Sequence, residues 1–199
     1  MKISKLFVHL IAFVFLINYS NYSHANLSSE FIDTITKKAS DILSSEKTKE
    51  LKIEQLIQIG EQSVDIDGIG LYTLGVHRKS LNEDQKTEYK RIFREYFLKS
   101  FSNRLVEYKE AKIVVISEDI KNEKYTIVKS KLLATSSRPE VSIDWRVYTK
   151  DPAKPLIRDL IIEGLSLART QKEEFNSIIM NNDGNISALF SSLEKFNKK

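Results

Sequence analysis

The 199-residue chain contains no cysteine. Disulfides, thiol nucleophiles and thiolate metal sites are therefore excluded. Histidine is nearly as scarce: of three, only His77 lies beyond residue 25, which leaves too few ligands for a zinc site. A serine triad would have to use His77 alone, and no G-x-S-x-G elbow is present to expose the serine. The six glycines, at 60, 68, 70, 75, 164 and 184, form no phosphate-cradling loop. Charge of one sign is also lacking. The formal net charge is only +4, too weak an excess to predict a nucleic-acid partner. There is no internal repeat, no low-complexity segment and no apolar run of membrane-spanning length.

What is present begins with a targeting pattern. Lys2 and Lys5 precede a run from Leu6 to Ile17 that is apolar apart from His9, and a polar stretch ends in Ser23-His24-Ala25. This order predicts a secretory signal peptide over residues 1–25, cleaved between Ala25 and Asn26. The mature chain, residues 26–199, has the length of one domain with a real core. Removing two lysines lowers its net charge to about +2. An exported protein without disulfides must be held by its core alone. Small size, export and the lack of disulfides suit a bacterial periplasm.

The mature chain reads as helices, then strands, then helices. Ser28 or Ser29 is placed to cap a first helix carrying Phe31, Ile32, Ile35, Ala39, Ile42 and Leu43 at helical spacing. A second helix carries Leu51, Ile53, Leu56 and Ile57, and a short apolar segment ends at Gly75, a C-cap position. Asn82 with Gln85, or Ser80 with Glu83, forms a capping box for a long helix. Along it Tyr89, Ile92, Phe93, Tyr96, Phe97, Phe101 and Leu105 make one wide stripe, opposite Lys86, Lys90, Arg91, Arg94 and Lys99.

From Lys112 the period changes. Segments 112–116, 125–133, 141–148 and 157–167 are rich in β-branched and aromatic residues. In the third, Val141, Ile143, Trp145 and Val147 alternate with Ser142, Asp144, Arg146 and Tyr148. The links at 118–124 and 149–155 are too short for crossover helices. The expected sheet is a four-stranded antiparallel meander. Helices near 170–180 and 186–196 follow, separated by a turn-rich break at 181–185. The fold class is α+β, a curved sheet packed against a helical bundle.

Local chemistry is sparse. Asp65-Ile66-Asp67-Gly68 lacks the further acids of a calcium loop and reads as caps and a turn. Glu173 and Glu174 are helical neighbours pointing in different directions, which is not an acid/base pair. The aromatic stripe and the apolar face of the third strand would face each other. Periodicity alone leaves two readings open: a close-packed core or an elongated cavity for an apolar ligand.

Two blocks of residues carry a family resemblance. One is Val64-Asp65-Ile66, Leu74-Gly75, Gln85, Phe93, Phe97 and Tyr108. The other is the run Asp159-Leu160-Ile161-Ile162-Glu163-Gly164-Leu165-Ser166-Leu167, followed by Lys172, Glu174 and Phe175. Together they resemble the MlaC, or toluene-tolerance auxiliary, family over essentially the whole mature chain. His77-Arg78, Lys172 and Pro155 depart from residues common in that family. The resemblance implies a periplasmic phospholipid-binding shuttle of an ABC-type lipid transport system that maintains outer-membrane lipid asymmetry. It implies an apolar cavity between sheet and helices, phospholipid as cargo, no cofactor, no metal and no catalytic residue. Implied partners are an inner-membrane ABC complex with a membrane-anchored lipid-binding ring and an outer-membrane lipoprotein complex, with the carrier itself a monomer. The residues expected to wall the cavity are Tyr72, Phe93, Phe97, Phe101, Val128, Leu132, Ile143, Trp145, Val147, Leu160, Ile162, Leu165 and Phe175. The alternatives are an envelope adaptor with a solid core, and an enzyme acting through His77.

Overall fold

The computed structural model describes residues 27–108 and 111–199. The expected signal peptide and its cleavage site lie outside the described residues. Among the described residues no helix is long and apolar enough to cross a membrane.

Helix α1 (Leu27–Ser44) is already helical at its first described residue. Ser28 and Ser29 therefore lie inside it and do not cap it. Ser28 is buried, and the Ser29 amide and hydroxyl both donate to the Glu118 carboxylate, at 3.0 and 2.7 Å. Helix α2 (Lys49–Ser63) is capped by Thr48. Helix α3 (Ile66–Thr73) is capped by Asp65, whose carboxylate accepts the Gly68 amide at 2.9 Å. Asp67 of the same motif pairs with Arg94 and Lys90, so these acids act as a cap and as ion-pair partners. Gly75, with φ of +56°, ends α3 and opens a 3₁₀ turn, Gly75–Lys79. Helix α4 (Glu83–Leu105) starts with the Asn82–Gln85 capping box complete in both directions. The alternative register does not form, because the Ser80 hydroxyl donates to the His77 carbonyl.

The sheet is an antiparallel meander in the order β1 (Ile113–Asn122), β2 (Tyr125–Leu132), β3 (Val141–Tyr148), β4 (Leu156–Ile162) and β5 (Leu165–Ser166). It has five strands where four are expected from the sequence. The segment 157–167 is not one strand: Glu163 and Gly164 take φ of 49° and 81°, the chain reverses, and β5 pairs back onto Ile161 and Ile162. Only the glycine marked this turn, inside an otherwise apolar run. β1 is longer than expected, running on through Ser117-Glu118-Asp119. Register shifts after Val115 and after Ile120 break its alternation, and a bulge hides a strand from a period-two reading. Helix α5 (Leu167–Met180) starts directly after β5, and helix α6 (Ile186–Asn197) is capped by Asn185.

The helices cover one face of the sheet. On β3 the alternation is as expected: Ile143, Trp145 and Val147 are buried, and Ser142 and Arg146 are exposed. One cluster of buried residues joins Ile32, Leu74, Tyr89, Ile92 and Phe93 to Val128 and Val147 of the sheet and to Phe175, Ile179 and Leu189 of α5 and α6. Each fully buried side chain of this kind contributes about 1.5–3 kcal/mol.

Candidate functional site

The stripe on α4 splits along its length. Tyr89, Ile92 and Phe93 are at most 1% exposed, held by Phe175 and Phe190 at ring distances of 6.2 and 5.6 Å. Further on, Phe97, Phe101 and Leu105 are only half-buried. Phe97 and Phe101 stack on each other at 5.7 Å, and beneath them the helices and the sheet do not close. A cavity of about 620 Å³ remains, a size typical of sites for small organic ligands.

Most of its wall comes from four directions, with Ile69 of α3 and Leu167, Ala168 and Gln171 of α5 added to it. Phe93, Phe97 and Phe101 stand on α4; Leu132, Ile143, Trp145, Ile157, Leu160 and Ile162 on the inner sheet face; Ile35, Ala39 and Leu43 on α1; and Leu56 and Ile59 on α2. Ser100, Arg104 and Arg138 also line the cavity, and several other polar groups in the wall direct their hydrogen bonds back into the protein. The Trp145 indole donates to the Ser130 hydroxyl at 2.8 Å, which donates to the Ile143 carbonyl. Thr36 and Ser63 donate to carbonyls of their own helices. Asp159 accepts from Ser166 Oγ and the Ala168 amide. The Tyr96 hydroxyl donates to Gln171 at 3.0 Å; burial, then the nearby Glu174 charge, pushes its ionisation above the ordinary phenol range. Polar groups satisfied in this way give water few partners, so the space is suited to an apolar occupant.

Of the thirteen residues expected to wall a cavity, the structure brings eight together: Phe93, Phe97, Phe101, Leu132, Ile143, Trp145, Leu160 and Ile162. The other five lie elsewhere. Val128, Val147 and Phe175 are sealed in the core at 0%, 0% and 1% exposure. Leu165 is exposed on the short β5, and Tyr72 is exposed beside Lys172, with the ammonium 5.5 Å from its ring. The walls from α1 and α2 were missed as site residues. Their helical stripes are visible in the sequence, but nothing there separates a stripe that meets a cavity from one that meets a core.

The catalytic alternatives gain no geometry. His77 shares a 3.0 Å hydrogen bond with the Asn176 side-chain carbonyl, and Glu174 accepts from Gln171. Among the described residues no group of three or more acids or histidines is placed to hold a metal.

The apolar cavity is suited to binding an apolar molecule. A model of the MlaC protein family matches residues 26–195, and the chain belongs to that family. Its fold is similar to that of a phospholipid-binding protein from Ralstonia solanacearum solved in complex with a phospholipid. The two share 16% identity with a TM-score of 0.66, over 87% of this chain and 96% of that one. No curated protein sequence matches the chain.

Proposed function

We propose that this protein is a periplasmic phospholipid carrier and that its cavity shelters the acyl chains in transit. The observation that carries the reading is the apolar space of about 620 Å³ left where the second half of α4 stands off the sheet. Membership of the MlaC family and the shared fold of a protein solved with phospholipid support it. The physical task is steep. Each CH₂ moved into water costs about 0.8 kcal/mol, so an ordinary acyl chain costs on the order of 10 kcal/mol. A dry wall of aromatic and aliphatic side chains offsets this cost without a covalent step. The carrier takes lipid from one membrane complex and gives it to another, with an outer-membrane lipoprotein complex and an inner-membrane ABC complex as its two stations.

Native mass spectrometry of residues 26–199, purified without detergent, tests the reading. Adducts of phospholipid mass are expected, or their appearance after incubation with liposomes. A clean protein mass under both conditions would leave the envelope adaptor as the better account.

A further inference from the structure

A second concave surface is lined by outward-facing residues of the sheet together with α3 and Ala168 at the start of α5. A groove of about 790 Å³ runs there between α3 with its 3₁₀ turn on one side and the β1–β2 end of the sheet on the other. It is polar where the cavity is apolar. Its floor includes the buried Ile127 and is stiffened by Arg158. That guanidinium lies 3.6 Å over the Tyr148 ring and donates to the Tyr125 hydroxyl and to Asp65, at 2.6 and 2.5 Å.

Four further cations line the groove: Lys121 on β1, which is paired with Asp119, and then Arg78 on the 3₁₀ turn, Lys129 on β2 and Arg146 on β3. The last three side chains are exposed. None makes an ion pair within 4 Å. The register pairs Lys129 with Asp144 and Arg146 with Ile127, so Lys129 and Arg146 are diagonal neighbours on adjacent strands. Two acids also line the groove. Asp159 has both oxygens engaged by Ser166 and Ala168. Asp144 is the one acid left to oppose the three cations, so the groove keeps a positive excess. Arginine forks match carboxylates in a bidentate geometry.

We propose that this groove docks an extended, carboxylate-rich segment of a partner protein. Its concave shape admits a peptide and keeps a flat bilayer surface away from the floor, and its charge selects an acidic partner. The groove and the cavity share Ile69, Asp159 and Ala168 in their linings, whereas Arg78, Lys129 and Arg146 line the groove alone, so substitutions at these cations leave the cavity wall intact. The inference does not rest on what the cavity holds.

The test uses residues 26–199 and a fluorescent twelve-residue peptide of alternating Asp/Glu and Gly/Ser, read by anisotropy. Its Asn/Gln twin and phosphatidylglycerol vesicles are the comparison probes. Saturable binding of the acidic peptide is expected, weakened at least tenfold in R78E/R146E and by added salt. K37E/K38E, an equal charge change on the exposed side of α1, should retain it. Phospholipid adducts in native mass spectrometry should be the same in all three proteins, which separates this result from a failure of the carrier reading. The proposal is overturned if the acidic peptide does not bind saturably, if both double variants lose binding equally, or if vesicles bind with the same dependence on Arg78 and Arg146.

Discussion

In the first half of α4, Tyr89 and Ile92 are closed in by α5 and α6, and Phe93, packed on Phe175, marks the boundary; in the second half Phe97, Phe101 and Leu105 keep part of their surface and line a cavity. Both halves present aromatic and aliphatic residues on one stripe of the same helix. What differs is the layer opposite. Phe175 and the Leu189–Phe190 pair fill the space facing the first half. The second half lies against α2, where Gly60 stands close to Leu98 and Phe101, and nothing bulky is interposed between its rings and the sheet. A cavity is thus made by withholding a neighbour, not by a special wall residue. If so, substitutions in the first half should cost stability, and substitutions in the second half should cost capacity.

The largest expected effect is Phe93→Ala. Phe93 is in ring contact with Tyr89, Tyr96, Phe97 and Phe175, all within 6.2 Å, and its removal should cost about 3–5 kcal/mol in urea unfolding. A loss below about 1 kcal/mol would mean that the first half is as loosely filled as the second, which would dissolve the contrast. Next comes Gly70→Ala. In an open helix this change would gain about 1 kcal/mol from propensity. Here the new Cβ would stand 2.7 Å from Cδ1 of Phe93, a ring pinned edge-on by Phe175. Overpacking should win, with a net loss of about 1–3 kcal/mol.

The order of the elements was legible because each left a local mark: the Asn82–Gln85 box, the 3.6-residue stripe on α4, and the alternation on β3. The turn at Glu163–Gly164 was hidden because one glycine in an apolar run is a weak signal. β1 runs beyond the expected 112–116 because its bulges interrupt the alternation that marks a strand. For the site, eight of the thirteen expected wall residues line the cavity, and the misplaced ones show the limit. Val128 and Trp145 share a sheet face and a register position, yet Val128 is sealed while Trp145 faces the open space. That distinction depends on which helix lies above each strand position, and no local pattern encodes it.

A smaller effect should come from the one buried hydroxyl pair in the closed half. The Tyr89 and Thr73 hydroxyls share a hydrogen bond at 2.9 Å, so Tyr89→Phe should cost about 1 kcal/mol at neutral pH. Burial pushes Tyr89 ionisation well above its ordinary value, only partly opposed by the Thr73 hydrogen bond. The unfolded phenol ionises near pH 10. The folded state holds its proton longer, so this contribution is complete below about pH 10 and is lost as pH rises beyond it. Urea unfolding between pH 8 and 11 should show stability falling above about pH 10, less steeply in Tyr89→Phe. Tyr96, also raised, should leave part of the fall in place.

The smallest change in stability should accompany the largest change in capacity. Ser100 is half-buried on the cavity side of α4, between Phe97 and Phe101, and Ala39 faces the same space from α1. Replacing either with tryptophan adds a large apolar group to a wall that has room for it. Neither site is closed in as Gly70 is by Phe93, so the strain that makes overpacking costly is absent, and stability should change by less than about 1 kcal/mol. If the cavity holds the acyl chains as proposed, the added indole would occupy part of their volume. Phospholipid recovered per protein by organic extraction should therefore fall severalfold in Ser100→Trp and in Ala39→Trp, while Phe93→Ala loses stability first. If both tryptophan variants kept full lipid content with unchanged stability, the cargo would lie outside this cavity. Two variants on different helices are needed because one indole could turn to solvent.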